Sequence, residues 1–489
     1  MDNQIKFSRT SKVIFLSLAG SLTMITSIAF AMLASRYLSK HDYATIRQTF
    51  LVYEILAPLM MLGLPNALYY FLPRAGDDVR GVVIDNTFLL LCSGFLFTLF
   101  IIMGGYSILA ERFDNIDLNT TLPWMAVYPL LIMPIASMTA LLVFTERVRT
   151  LAIYGILTNI IMFVTGIIAV LATRSFEAPV LVRLAVPAIL LPVALVLMFK
   201  TLPGNWRMPR VASMTRMVRY AVPLGFATML GTLTMQLHAI VVASLCTTEE
   251  FAVYINGAFE IPIIGIITGS ITSIIFSEMS DKCANGEKSQ ALELFKKASI
   301  KSACFIFPSF LYFLVVAEPF IVLIFSEQYR DSRWPFMIYL LVLPARIVVY
   351  GAAMMALGLT REILFRSIFD LILNTLLCIF LVNYFGYNAA PFALVITLYI
   401  WTIPYNINKL AAGFNVKWIN ILPWKKLFEI FIISMPATLI SLIILELIPS
   451  SYIVVRLITT GVVCLLVTGF MLSRAGFFSL NIIYRNLLG

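Results

Sequence analysis

A few ionisable side chains stand inside, or at the edge of, stretches that are otherwise apolar. They are Arg36, Arg47, Glu54, Arg183, Glu260, Arg346 and Asp370. Charge is costly in hydrocarbon, so such residues face a bundle interior or a watery cavity, or pair with one another. Guanidinium is a planar fork that matches phosphate or carboxylate oxygens, which makes Arg47, Arg346, Arg183 and Arg36 candidate anion ligands. The carboxylates Glu54, Glu260 and Asp370 are candidates for taking a proton or ligating a cation. Arg47 and Glu54 are seven residues apart, two helical turns, and share roughly one face. Each residue also has a plainer reading. Arg36, Arg183 and Arg456 can snorkel to an interface, Arg47 can pair with Glu54, and Arg346 can sit in a structural ion pair. Asp85 lies near a span end, where exposure is cheap. His238 reads as a hydrogen-bonded core residue, and Asn159 and Asn374 as interhelical hydrogen bonds.

The elements that position these groups follow from composition. The 489 residues are 61% hydrophobic and only 12% charged, with a mean hydropathy of +0.95, against about 25% charged in soluble domains. A spanning helix needs roughly 20 apolar residues. Fourteen stretches qualify: 13–35, 45–72, 82–105, 122–144, 151–173, 179–199, 220–245, 252–276, 301–325, 335–358, 363–384, 388–410, 426–447 and 452–473. None alternates as a barrel strand would, and unpaired backbone is too costly in lipid for anything but helices. The fold class is an all-α polytopic membrane protein.

Lys and Arg set the expected orientation. With the N-terminus inside, 25 of the 35 basic residues fall on cytoplasmic connections, as the positive-inside rule requires. Both termini are then cytoplasmic. The net charge of +10 faces anionic headgroups and needs no nucleic acid. The first stretch follows Lys6 to Lys12 as a signal peptide would, but its length argues that it is retained. Residues 281–301 have apolar residues at helical spacing and read either as a short amphipathic helix on the interface or as a solvated linker helix.

A weak internal repeat divides the chain. Leu38 to Ala44 and Cys246 to Ala252 each join one long apolar run to the next, and matching Tyr43 to Phe251 gives an offset of 208 (251 minus 43). Each joint leads into a run with an early Gln48 or Asn256 and then Glu54 or Glu260. A hydrophobic plan repeated in two halves suits a two-bundle transporter.

Enzyme chemistry has little to stand on. No GxxxxGK[ST], HExxH or GxSxG is present, His41 and His238 are the two histidines, and six cysteines show no ligand spacing. No metal and no cofactor is expected.

Four stretches carry a family resemblance. They are Leu38-Ser39-Lys40-His41-Asp42-Tyr43-Ala44 continuing to Leu62-Gly63-Leu64-Pro65-Asn66 through Pro73; Ala221-Val222-Pro223-Leu224-Gly225; Ala317-Glu318-Pro319-Phe320 through Ser326-Glu327-Gln328-Tyr329; and Ala356-Leu357-Gly358-Leu359-Thr360-Arg361-Glu362. Together they resemble bacterial polysaccharide (O-antigen and exopolysaccharide) flippases of the MATE-like multidrug/oligosaccharidyl-lipid/polysaccharide exporter superfamily. The chain departs from the family at Ser326 and Ala44, where glycine is frequent. The resemblance implies a MATE-like fold of two six-helix bundles related by pseudo-twofold symmetry around a central cavity, plus two C-terminal helices: 1–200, a cytoplasmic linker 201–219, 220–412, and 413–489. It implies a bacterial inner-membrane flippase that moves an undecaprenyl-pyrophosphate-linked oligosaccharide from the cytoplasmic to the periplasmic leaflet by alternating access. Polysaccharide polymerase machinery is the implied partner beside membrane lipids. Guanidinium groups of Arg47, Arg346, Arg183 and Arg36 would attract the pyrophosphate, while Glu54, Glu260 and Asp370 would couple an ion gradient. A cation-coupled drug exporter of the same fold, or an integral-membrane glycan polymerase, ligase or acyltransferase, are the alternatives. The first should favour an acidic cavity. The second usually shows a large outer loop or a catalytic cluster, and this chain has neither.

Overall fold

The computed structural model describes residues 9–200, 202–259, 261, 264–265, 275, 278–283 and 285–477. Helices make up the regular structure throughout, with no strand among the described residues. Packing divides the chain into two compact units, Met1–Ala252 and Val253–Gly489.

The first unit runs α1 (Arg9–Tyr37), α2 (Lys40–Met61), α3 (Leu64–Phe71), α4 (Val79–Phe100), α5 (Tyr106–Arg112), α6 (Leu118–Met125), α7 (Tyr128–Ile132), α8 (Met138–Phe144), α9 (Val148–Thr173), α10 (Glu177–Phe199) and α11 (Val211–Leu245). Helix α12 (Thr248–Gly257) leads into the second unit. Both repeated joints turn out to be helix starts. Ser39 accepts a hydrogen bond from the Asp42 amide at 3.0 Å. Thr247 and Glu250 exchange reciprocal bonds, the Thr247 amide to Glu250 at 2.9 Å and the Glu250 amide to Thr247 at 3.3 Å. These contacts satisfy donors that a helix start leaves free.

The second expected span is broken. Pro58 lies in its last turn, Leu62 and Gly63 take left-handed φ values of 47° and 73°, and α3 restarts the chain. Helix α11 crosses at this break because both backbones are bare: a Cβ on Gly63 would lie 2.7 Å from the Gly225 nitrogen, and one on Gly225 2.3 Å from the Leu62 carbonyl carbon. At the restart the Leu64 carbonyl accepts from Asn86 at 2.8 Å, and Asn86 in turn accepts from Ser137 at 2.5 Å. On the buried side of α2, Asn115 donates to Thr45 at 2.9 Å and to Gln48 at 2.7 Å, and Thr49 meets Thr121 at 2.8 Å.

The linker after α10 is clasped to the start of α4. Arg207 donates to both oxygens of Asp85, at 2.9 and 2.8 Å, and to Asp78 at 3.1 Å; the Arg210 amide adds a bond to Asp85 at 2.9 Å. Asp85 is therefore fully buried rather than exposed at a span end. The hydrogen-bonded Asp85, against an opposing burial effect and with Asp78 adding to it, raises the Arg207 pKa above the ordinary arginine value. Gly81 leaves the room: its Cβ would lie 2.2 Å from Arg207 Nε.

The second unit contains α13 (Lys288–Val315), α14 (Ala317–Phe325), α15 (Arg333–Leu340), α16 (Tyr350–Ala356), α17 (Thr360–Phe385), α18 (Ala390–Ile396), α19 (Ile403–Phe414), α20 (Trp424–Leu447) and α21 (Ile453–Arg474). Helix α13 packs along α20, and α20 along α21. The amphipathic segment expected near 281–301 is no separate interfacial helix. From Lys288 it continues unbroken into the ninth span, because nothing between Lys297 and Ala303 breaks a helix and the small Ala298, Ser299 and Ala303 are buried. The span then breaks at Val316, and α14 ends at Ser326 with φ 85° and ψ 169°.

Ten helices among the described residues are long and apolar enough to cross a membrane, or eleven if the bent pair Glu327–Leu340 and Leu343–Ala356, angled at 42°, is one span. Of the other expected stretches, the first and seventh fall on α1 and α11, whose apolar parts are Leu22–Tyr37 and Thr232–Leu245. Most of the eighth lies outside the described residues. The chain is thus a multi-pass, all-helical membrane protein, without a fixed count of fourteen.

Two substitutions test this architecture. Ser326 occupies backbone space that is essentially glycine's, at a cost on the order of 1–3 kcal/mol. Ser326→Gly should raise the thermal midpoint of the purified protein, and an unchanged or lower midpoint would refute the strain. Arg207→Ala strands the buried Asp85 and should cost about 3–5 kcal/mol. An accompanying Asp85→Asn should recover part of the lost midpoint.

Candidate functional site

The first unit encloses a cavity of about 150 Å³ between α1, α2, α9 and α10. Arg47 and Glu54 reach it from α2, Asn159 from α9 and Arg183 from α10. The two-turn spacing on α2 thus places Arg47 and Glu54 on one cavity wall, yet they do not pair. Glu54 accepts from Gln236 of α11 at 2.8 Å. Among the described residues neither Arg47 nor Arg183 forms an ion pair. Arg183 is held by aromatic faces instead: its guanidinium carbon lies 4.8 Å from the Phe50 ring centre and 5.9 Å from that of Tyr128, and Tyr53 packs edge-on against Tyr128 at 4.6 Å. Ring faces attract a cation without neutralising it. The Arg183 Nε is buried and makes no hydrogen bond.

Asn159 donates to Thr23 of α1 at 2.7 Å and to the Gly155 carbonyl at 2.8 Å. It is both the interhelical tie expected of it and part of the cavity wall. The arrangement offers two cations and one carboxylate in a small wet space, suited to holding an anion.

The remaining candidates lie elsewhere. Arg36 is exposed in the last turn of α1 and does not line this cavity. Arg346 sits in a short turn, Leu343–Ile347, of the second unit and is half-buried. Glu260 falls outside the described residues. Asp370 accepts from Thr402 at 2.8 Å and faces Arg366 at 3.3 Å, while Arg366 also donates to Asn406 at 3.1 Å. About two helix turns before Asp370 on α17, Glu362 pairs with Lys409 at 2.8 Å and accepts from Tyr405. No group of three or more metal-ligating side chains occurs among the described residues.

Reading the sequence missed the aromatic partners of Arg183, since Phe50 and Tyr128 look like any other apolar residue in a span. It also missed Gln236, one polar group within a long apolar run, whose position inside α11 was the available signal.

A family model described as "Polysaccharide biosynthesis protein" matches residues 32–333. The chain belongs to this family. Among solved structures it is similar to the lipid II flippase MurJ in an inward closed conformation, at 15% identity and a TM-score of 0.67, over 98% of this chain and 100% of that one. A multidrug resistance MATE family transporter of the MOP superfamily, facing inward, aligns at 13% identity and a TM-score of 0.62, over 82% and 98%. A MOP superfamily transporter from Pyrococcus furiosus aligns at 14% identity and a TM-score of 0.54, over 82% and 96%. No curated protein matches. The fold is therefore MATE-like, and the relatives are named as transporters and flippases, not enzymes.

An anion should enter this cavity. Inorganic pyrophosphate is expected to raise the thermal midpoint of the purified protein, and Arg47→Gln or Arg183→Gln to weaken that effect roughly tenfold or more, the loss of one charge-assisted contact. Glu54→Gln should strengthen it by removing a like charge. If the arginine variants respond as the parent does, the cavity is not the anion site.

Proposed function

We propose that the protein is a lipid-linked oligosaccharide flippase that carries an undecaprenyl-pyrophosphate-linked repeat unit from the cytoplasmic to the periplasmic leaflet of a bacterial inner membrane, by alternating access. The observation that carries this reading is a cavity with two arginines unpaired by any described carboxylate, in a chain of the polysaccharide biosynthesis family. The similarity to a flippase named for lipid II supports a lipid-linked substrate. A pyrophosphate carries more charge than a glycan and is the part of such a substrate that guanidinium groups recognise. At about 150 Å³ the cavity holds roughly five waters' worth of space, which suits the charged head and not the sugars.

Arg47 and Arg183 are the primary ligands in this reading. Arg36 and Arg346 are the further anion-attracting candidates, the first at the end of α1 and the second within the second unit. Glu54 is the foremost ion-coupling group, because it borders the same cavity and its neutralisation would raise anion affinity. Asp370 is the second, since releasing Arg366 would free its carboxylate; Glu260 completes the set. Both termini lie in the cytoplasm, and a polysaccharide polymerase acts on the flipped product. The alternative of a cation-coupled drug exporter fits poorly with a cavity in which arginines outnumber acids.

The deciding measurement is translocation in proteoliposomes of undecaprenyl-pyrophosphate oligosaccharide carrying a label that an impermeant reagent can reach. Labelled lipid should cross unmodified, and Arg47→Ala and Arg183→Ala should slow crossing by tenfold or more at equal reconstitution, the scale of one lost charged contact. Undiminished crossing in both variants, matched by undiminished surface polysaccharide in cells, would sink the proposal.

A further inference from the structure

Outside the arginine cavity, and sharing no residue with it, a groove of about 760 Å³ runs along the first unit between α4, α7 and α10. That volume is in the range of sites for sizeable organic ligands, ~300–1,000 Å³. Along most of its length the wall is apolar, formed by side chains such as Ile84, Leu91, Leu191 and Leu195. Apart from Thr87, the exceptions gather at one end, where Arg80, Lys200 and Trp206 stand together.

This mouth is built. Arg80 donates to the Leu202 carbonyl at 2.6 Å, and its amide bonds the Pro203 carbonyl at 3.0 Å. Its guanidinium carbon lies 5.2 Å from the Trp206 ring centre, and Trp206 stacks on Phe199 at 5.3 Å. The linker that carries Trp206 is pinned by the Arg207–Asp85 clasp. Neither Arg80 nor Lys200 forms an ion pair among the described residues, and Arg80 Nε is buried without a hydrogen-bond partner. An apolar trough that ends in two unneutralised cations and an indole complements a ligand with a long hydrocarbon chain and an anionic head. Tryptophan is itself a residue of the membrane interface, and basic clusters beside spans attract anionic headgroups.

We propose that this groove is a binding site for an anionic glycerophospholipid of the surrounding bilayer, with an acyl chain in the trough and the phosphate taken by Arg80 and Lys200. The charged part of the wall is confined to the mouth, and the trough beyond it offers one hydroxyl, that of Thr87, so it suits a hydrocarbon chain better than a glycan. That separates this occupant from the transported substrate. A lipid seated here would tie α10 and the linker to α4, at the end of the unit where the clasp already holds them.

The test uses the purified full-length chain in neutral detergent, titrated with phosphatidylglycerol or phosphatidylcholine and read by retained lipid in native mass spectrometry and by thermal midpoint. Phosphatidylglycerol should be retained roughly tenfold or more over phosphatidylcholine, the scale of two headgroup cations. Lys200→Gln, at an exposed position, should lose part of that preference, and Arg80→Gln with Lys200→Gln nearly all of it. Leu195→Trp, which fills the trough and leaves both charges, should lower retention of both lipids. Equal retention of the two lipids by the parent would overturn the proposal, as would unchanged preference in Lys200→Gln. Displacement of phosphatidylglycerol by undecaprenyl phosphate at equal or lower concentration would also overturn it, reassigning the groove to the substrate's tail.

Discussion

Desolvation of charge governs where everything in this molecule can go. A charged side chain at the centre of a spanning helix costs ~2.5–3.5 kcal/mol even on the gentler insertion scales. Each one must therefore meet a partner or water, and the described charges separate by which they meet. Asp85 and Arg207 form a buried, bidentate pair, and Arg366 faces Asp370 through one contact at 3.3 Å, with Thr402 and Asn406 around them. Glu362, Lys409 and Tyr405 make a third closed group. Arg47 and Arg183 break the pattern. Ring faces hold Arg183, and both arginines border the cavity, which leaves hydrogen-bond donors for something else. A guanidinium left in that condition is poorly explained by folding and well explained by an anion.

How much of this the chain discloses in advance depends on distance along it. Helices are local, and the hydrophobic runs located most spans to within several residues. The joints are local too: Ser39–Asp42 and Thr247–Glu250 are cap pairs three residues apart. The two-turn spacing of Arg47 and Glu54 put both on the wall of one cavity, as it implied. Pairings across long separations leave no such trace. Asp85 reads as a cheap residue at a span end until Arg207, 122 residues later, folds onto it. Gly63 and Gly225 look like two ordinary glycines, and only the crossing of α11 over the broken second span shows why neither can carry a side chain.

One miss was avoidable. Arg366 and Asp370 are four residues apart on a single helix, spacing that pairs opposite charges on any helix surface. Both fall within the expected stretch 363–384, where Asp370 reads as an ion-coupling candidate without its partner. In structure the helix starts at Thr360, so Arg366 is already two turns inside.

The same reasoning sharpens the meaning of the internal repeat. Under the 208-residue offset, the positions that correspond in kind are buried ones: Tyr43 with Phe251, Ala44 with Ala252, and Gln48 with Asn256, none more than 2% exposed. Packing is what those positions share, and packing conserves size and burial rather than identity. The offset carries Arg47 to Ile255 (47 plus 208). A repeat held in place by its core is free to differ wherever a side chain faces a cavity, and such a difference is where a function that is not itself symmetric can be written. The lipid-linked pyrophosphate proposed as substrate has one charged end. A single arginine-bearing copy of the repeated helix, with a second arginine brought to it by α10, matches that one-sided ligand better than a symmetric pair of sites would.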